Sequence, residues 1–133
     1  MLPLRYPRLW LAIAWTLVAL AVLVSLMPVS QLPQPPVVND KMEHLAAYML
    51  LSLWFAGIYP RSRYWIIAIG LCVMGVLIEV AQGAMRYGRQ ADILDVLANS
   101  AGVILGLGLA LLWLGGWAQR IEMWVDKSVV EKS

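Results

Sequence analysis

Between Leu9 and Asn39 the chain has no Asp, Glu, Lys or Arg, and from Leu9 to Met27 nearly every residue is apolar. That stretch constrains the fold more than any other feature. A helix of about 20 apolar residues crosses a bilayer core. Lipid offers no partner for an unpaired N–H or C=O, so a span must satisfy its own backbone. The whole chain follows suit. Of 133 residues, 62% are hydrophobic and 14% charged, and the mean hydropathy is +0.75. Soluble domains carry about 25% charge. The composition therefore predicts an integral membrane protein built as one small helical bundle. The basic residues are scattered and the net charge is only +2, which argues against a nucleic-acid partner. Cys72 is the single cysteine and sits in an apolar run, where it reads as a small hydrophobe.

Apolar runs and their breaks predict an all-α fold with four transmembrane helices, at about 9–27, 41–59, 64–84 and 92–114. Residues 1–8 precede the first span. A cleaved signal peptide is the competing reading, but its apolar region would run only about 7–15 residues. Pro28, Pro33, Pro35 and Pro36 interrupt any helix and predict an ordered connection outside the hydrocarbon. Asn39 or Asp40 is a natural N-cap for the second span. Pro60 with Arg61-Ser62-Arg63 ends it, and a short polar turn with Arg86 and Arg89 follows the third. Residues 115–133 mix Trp117, Ile121 and Trp124 with Arg120, Glu122 and Asp126. They read as a short amphipathic helix on the membrane surface with a frayed end.

With four spans both termini share one side. That side carries Arg5, Arg8, Arg61, Arg63, Arg120, Lys127 and Lys132, against Lys41, Arg86 and Arg89 opposite. The positive-inside rule then puts both termini in the cytoplasm. Trp10, Trp65, Trp113 and Trp117 fall at the cytoplasmic ends, as an aromatic belt would.

The membrane-embedded polar residues fall on three faces. Asp92, Asp95, Asn99, Gly102 and Gly106 lie within about 80° of arc at roughly 100° per residue. Lys41, His44 and Tyr48 share a face of the second span at i, i+3 and i+7. Glu79 and Gln82 share one on the third with Cys72, Gly75 and Arg86. All three faces belong to the outer half. An unpaired charge there costs about 2.5–3.5 kcal/mol on insertion scales, so the faces are expected to meet and neutralise one another. Lys41 and Arg89 would pair with Asp92, Asp95 and Glu79, while Gln82 and Asn99 satisfy what remains. Gly102 and Gly106 form a Gly-x-x-x-Gly pair that lets helices approach closely beneath the cluster.

These elements resemble the VanZ-like family of small membrane proteins. The matching residues are Asp40-Lys41-x-x-His44-x-x-x-Tyr48, then Glu79-x-x-Gln82. Last comes Arg89-x-x-Asp92-x-x-Asp95-x-x-x-Asn99-x-x-Gly102-x-x-x-Gly106. The resemblance covers roughly residues 38–112, leaving the tail outside. The family is named for a protein that lowers sensitivity to teicoplanin, and the resemblance implies a fold and a site more firmly than that phenotype.

Two chemistries fit the polar set. In the first, an outward-facing pocket binds a lipid-linked or amphiphilic ligand through Lys41, Tyr48, Gln82, Arg89, Asp92, Asp95 and Asn99, with membrane lipids as partners. Lys41 and Arg89 would take phosphate or carboxylate. In the second, the protein is a hydrolase or transferase on a lipid-linked substrate, with His44 or Glu79 as general base. No nucleophile stands out, because Ser100 points about 100° away from Asn99 and Ser52 is isolated. His44, Glu79, Asp92 and Asp95 could ligate a divalent ion, but the built-in cations oppose those acids. No metal and no cofactor is therefore expected. A transporter would need more than four short spans, and the bundle leaves room for a homo-oligomer.

Overall fold

The computed structural model describes residues 1–27, 40–85 and 92–130. Residues 28–39, 86–91 and 131–133, where a proline-rich connection, a polar turn with Arg86 and Arg89 and a frayed end are expected, lie outside the described residues. Everything regular that is described is helical: α1 (Pro7–Leu26), α2 (Asp40–Ile58), α3 (Tyr64–Met85), α4 (Ile93–Leu109) and α5 (Trp117–Val130). A short 3₁₀ turn, Arg61–Arg63, leads into α3, and a π-helical turn, Ala110–Leu114, continues α4.

The boundaries follow from local chemistry. α1 opens on Pro7, where a missing N–H is harmless and the fixed φ suits a first turn. α2 opens on Asp40 and Glu43, acids that favour the positive end of the helix dipole. Asp92 caps α4 by accepting the Leu94 N–H at 2.8 Å. Gly116, at φ +69°, lets the chain turn from α4 into α5.

Three helical segments are long and apolar enough to cross a membrane: Pro7–Leu26, Arg61–Met85 and Ile93–Leu114. The second of the four expected spans is not among them. α2 has 19 residues, but Lys41, Glu43, His44, Tyr48 and Ser52 lower its hydropathy. The reason is positional, since α2 lies at the centre against α1, α3, α4 and α5. His44, Tyr48, Leu51, Ser52, Ala56, Gly57 and Ile58 are buried, and a helix shielded by others need not be apolar all round. The outer helices show the opposite pattern. Leu23 is 62% exposed, Leu77 62% and Ile104 70%, an apolar exterior that suits lipid rather than water.

α2 and α4 form the most extensive pair, and the glycines make it possible. A Cβ on Gly102 would collide with the Leu45 carbonyl oxygen, and one on Gly106 would stand 2.5 Å from that of Met49. The α4 backbone thus rests directly on the α2 backbone, as expected for small residues at a membrane-helix interface. Tyr48, Leu51, Tyr64, Leu71, Val103 and Leu107 form the core beside this contact.

The bundle has two distinct ends. One gathers the N-terminal segment, the C-terminus of α2 and α5. Leu2 donates to the Ile58 carbonyl at 2.9 Å, and Gly116 to that of Ala56 at 3.0 Å. Trp10, Trp54 and Trp117 pack at this end with centroids 4.9–5.9 Å apart. Trp65 and Trp113 stay exposed, whereas Trp10 and Trp117 are part-buried in this cluster. α5 does more than lie on a surface. Glu122 accepts the N–H groups of Arg5 and Tyr6 and the Trp10 indole N–H, and Arg5 also pairs with Asp126. Burial opposes ionisation of Glu122, but these three donors hold its carboxyl below the usual carboxylate range. The other end carries the polar residues of α2, α3 and α4.

Candidate functional site

At that end the cap of α4 organises the charges. Lys41 reaches across from the first turn of α2 and donates to Asp92 Oδ2 at 2.6 Å and to Asp95 Oδ1 at 2.7 Å. Asp92 precedes the apolar segment, and the Lys41 ammonium holds its carboxyl below the usual range, helped by the Leu94 N–H. From α3, Glu79 Oε2 accepts the Asp92 backbone N–H at 3.1 Å. Three carboxylates thus gather at a helix N-terminus, the end whose free N–H groups favour negative charge.

One turn deeper, His44 Nδ1 lies 3.0 Å from Asn99 Oδ1. An amide oxygen only accepts, so Nδ1 carries a proton and donates it to Asn99. Nε2 points toward two carboxylate oxygens, Asp40 Oδ1 and Asp95 Oδ2, each at 3.9 Å. Both separations exceed a hydrogen bond.

Below this lies a layer of uncommitted polar atoms. Tyr48 Oη, Glu79 Oε1 and Asn99 Nδ2 are buried and have no hydrogen-bond partner among the described residues. Their side chains are 3%, 3% and 1% exposed. Gly75 leaves space beside two of them, for a Cβ there would stand 3.1 Å from Asn99 Nδ2 and 3.3 Å from Tyr48 Oη. Buried polar groups are rarely left unpaired, and leaving one so costs about 1–3 kcal/mol.

The sequence-derived set therefore divides. Lys41, Asp92, Asp95, Glu79, His44, Asn99 and Tyr48 come together. Gln82 is buried but turned elsewhere: its Nε2 donates to the Ser25 carbonyl of α1 at 2.7 Å, fastening α3 to the end of α1. Arg89 lies outside the described residues. The serines are engaged in their own helices, Ser52 with the Met49 carbonyl and Ser100 with that of Val96. Two contributors were not singled out as site residues. Asp40 faces His44 across one turn, and its i, i+4 spacing was the available signal. Gly75 was noted only for the face it shares with Glu79.

A family model described as VanZ/LLP1 matches residues 6–114. An uncharacterized protein of Schizosaccharomyces pombe is 32% identical over 96 residues, which is 69% of this chain. The chain spans 57% of that relative's length. No solved structure matches.

Proposed function

Because the chain belongs to the VanZ/LLP1 family of membrane proteins, we propose that it acts in the membrane by binding the polar head of a lipid-linked or amphiphilic ligand. One observation carries this reading. Three deeply buried polar atoms, on Tyr48, Glu79 and Asn99, have no partner among the described residues. Asn99 Nδ2 donates, Glu79 Oε1 accepts when ionised and Tyr48 Oη does either. A mixed set of this kind suits a head group bearing hydroxyls, which also donate and accept. Lys41 is already held by Asp92 and Asp95, so its role is to fix the acids rather than to seize an anion. In this reading α2 crosses the membrane as the fourth span, sheltered by the other helices. The count of basic residues then puts both termini in the cytoplasm and the site in the outer half. Teicoplanin, which carries a lipid tail, is one amphiphile that such a site could meet at the envelope.

The test is lipid identification on purified wild type, Tyr48→Phe and Gly75→Ala. Wild type retains a defined amphiphile, and each variant retains several-fold less. Equal retention by all three overturns the reading.

A further inference from the structure

We propose that Arg61 and Arg120 form a site for the phosphate of an anionic phospholipid, at the end of the bundle opposite the polar cluster. The two come from different elements, the 3₁₀ turn before α3 and the first turn of α5, and meet on the turn that closes α4. Arg61 Nη2 donates to the Leu111 carbonyl at 3.0 Å. Arg120 Nη2 donates to those of Trp113 at 2.9 Å and Gly115 at 3.1 Å. The packing beneath fixes both approaches. Tyr64 Oη, just past Arg61, donates to the Ala56 carbonyl at 3.2 Å, and the Gly116 N–H reaches the same carbonyl at 3.0 Å. A Cβ on Gly115 would stand 2.6 Å from that tyrosine hydroxyl.

The last carbonyls of a helix have no donor within it, and cations suit the negative end of its dipole. Capping of this kind uses only Nη2 of each guanidinium. Nη1 and Nε make no hydrogen bond among the described residues, and each can donate to a phosphate oxygen. Neither arginine forms an ion pair among the described residues. The acids of α5 are turned the other way, Glu122 to Arg5, Tyr6 and Trp10 and Asp126 to Arg5. Two cations on one turn, with no carboxylate between them, favour an anion supplied from outside.

The level of the turn indicates which anion. Two of the segments long and apolar enough to cross a membrane, Arg61–Met85 and Ile93–Leu114, begin and end here. The guanidinium groups therefore stand where hydrocarbon gives way to head groups. Leu112 and Trp113 beside them are exposed, Trp113 by 79%. They offer acyl chains an apolar wall with an aromatic ring of the kind that favours the interface. Basic clusters at this level attract anionic lipids. A soluble phosphate would meet the charges but not the wall.

This inference stands apart from the head-group reading above, since the two sites share no residue. The full chain is purified in a neutral detergent and titrated with phosphatidylglycerol or with phosphatidylcholine of the same acyl chains. Bound lipid is counted by native mass spectrometry, and folding is checked by thermal unfolding in detergent alone. Wild type takes one phosphatidylglycerol about tenfold more tightly than phosphatidylcholine. Arg61→Gln and Arg120→Gln each reduce that preference several-fold. Arg8→Gln, which removes the same charge from the start of α1, keeps it. Lack of preference in wild type overturns the proposal. So does undiminished preference in both glutamine variants, or an equal loss in Arg8→Gln, the mark of diffuse surface charge. Sodium phosphate at matched concentration leaves the lipid bound, and full displacement by it overturns the assignment to a lipid. If a glutamine variant does not fold, Arg61→Lys and Arg120→Lys keep a cation at the carbonyls without the guanidinium's spread of donors. A weakened preference in them supports the site, and a wild-type preference overturns it.

Discussion

Glu122 accepts the backbone N–H of Arg5 at 2.7 Å, so the last helix of the chain holds the segment that leads into the first. α1 has no side-chain cap of its own at Tyr6, and Glu122 accepts the N–H of that N-cap residue from more than a hundred residues away. Replacing a capping acceptor costs about 0.5–2 kcal/mol. Glu122→Gln should loosen α5 and leave the polar end of the bundle intact, read as faster proteolysis within α5 at unchanged protection of α2 and α4.

The same contact predicts a pH dependence. The Glu122 carboxyl titrates below its ordinary value of 4.5, so folding favours the ionised form. The stability it contributes is fully present above pH 4.5 and is lost as pH falls through the lower folded value. The Arg5–Asp126 pair beside it is exposed on both sides and contributes little. Fluorescence of the Trp10–Trp54–Trp117 cluster should change in that acid window in wild type. No such transition is expected in Glu122→Gln.

Gly102→Ala and Gly106→Ala should each destabilise the bundle. Both place a methyl against the α2 backbone, and backbone cannot step aside as a side chain can. Overpacking of this kind costs about 1–3 kcal/mol. Gly108→Ala is the control, since nothing lies within 4 Å of a Cβ there. Thermal unfolding in detergent should rank Gly108→Ala with wild type and the other two well below.

Among the acids, Asp95→Asn should lower the melting temperature more than Asp92→Asn. Both accept from Lys41, but the Asp95 side chain is 10% exposed against 40% for Asp92. Water replaces a lost partner at the more open site and cannot do so as readily at the closed one. Equal losses would mean that Asp95 is not sealed within the cluster.

Tyr48→Phe separates binding from packing. The hydroxyl is buried without a partner among the described residues, so removing it should stabilise the ligand-free protein by about 1 kcal/mol. The same substitution should weaken retention of the amphiphile. A residue present only for packing would not show this opposition.

Much of the polar end can be read from residue order alone. Lys41, Asp92 and Asp95 sit in or beside apolar segments, where charges must find one another, and helical spacing selects which faces meet. Gly102 and Gly106 announce close backbone approach by their period. Gln82 shows where such reasoning stops. A primary amide is satisfied by any carbonyl within reach, and only the packing of α3 against α1 selects Ser25. Glu122 was illegible for a different reason. An acid in an amphipathic tail looks solvated, and nothing local marks it as the partner of N–H groups at the far end of the chain. α2 was legible as a helix by length, but its hydropathy is low because it draws its shelter from its neighbours.

That shelter has a consequence for how the protein is made. Lys41 on α2 waits for Asp92, which lies 51 residues further along the chain, and His44 waits for Asn99. When α2 leaves the ribosome, neither partner has yet emerged. If α2 is the proposed fourth span, a helix too polar to enter lipid alone would be held at the insertion machinery until α4 arrives. The two would then partition together, and order of integration would follow polar pairing rather than order of translation.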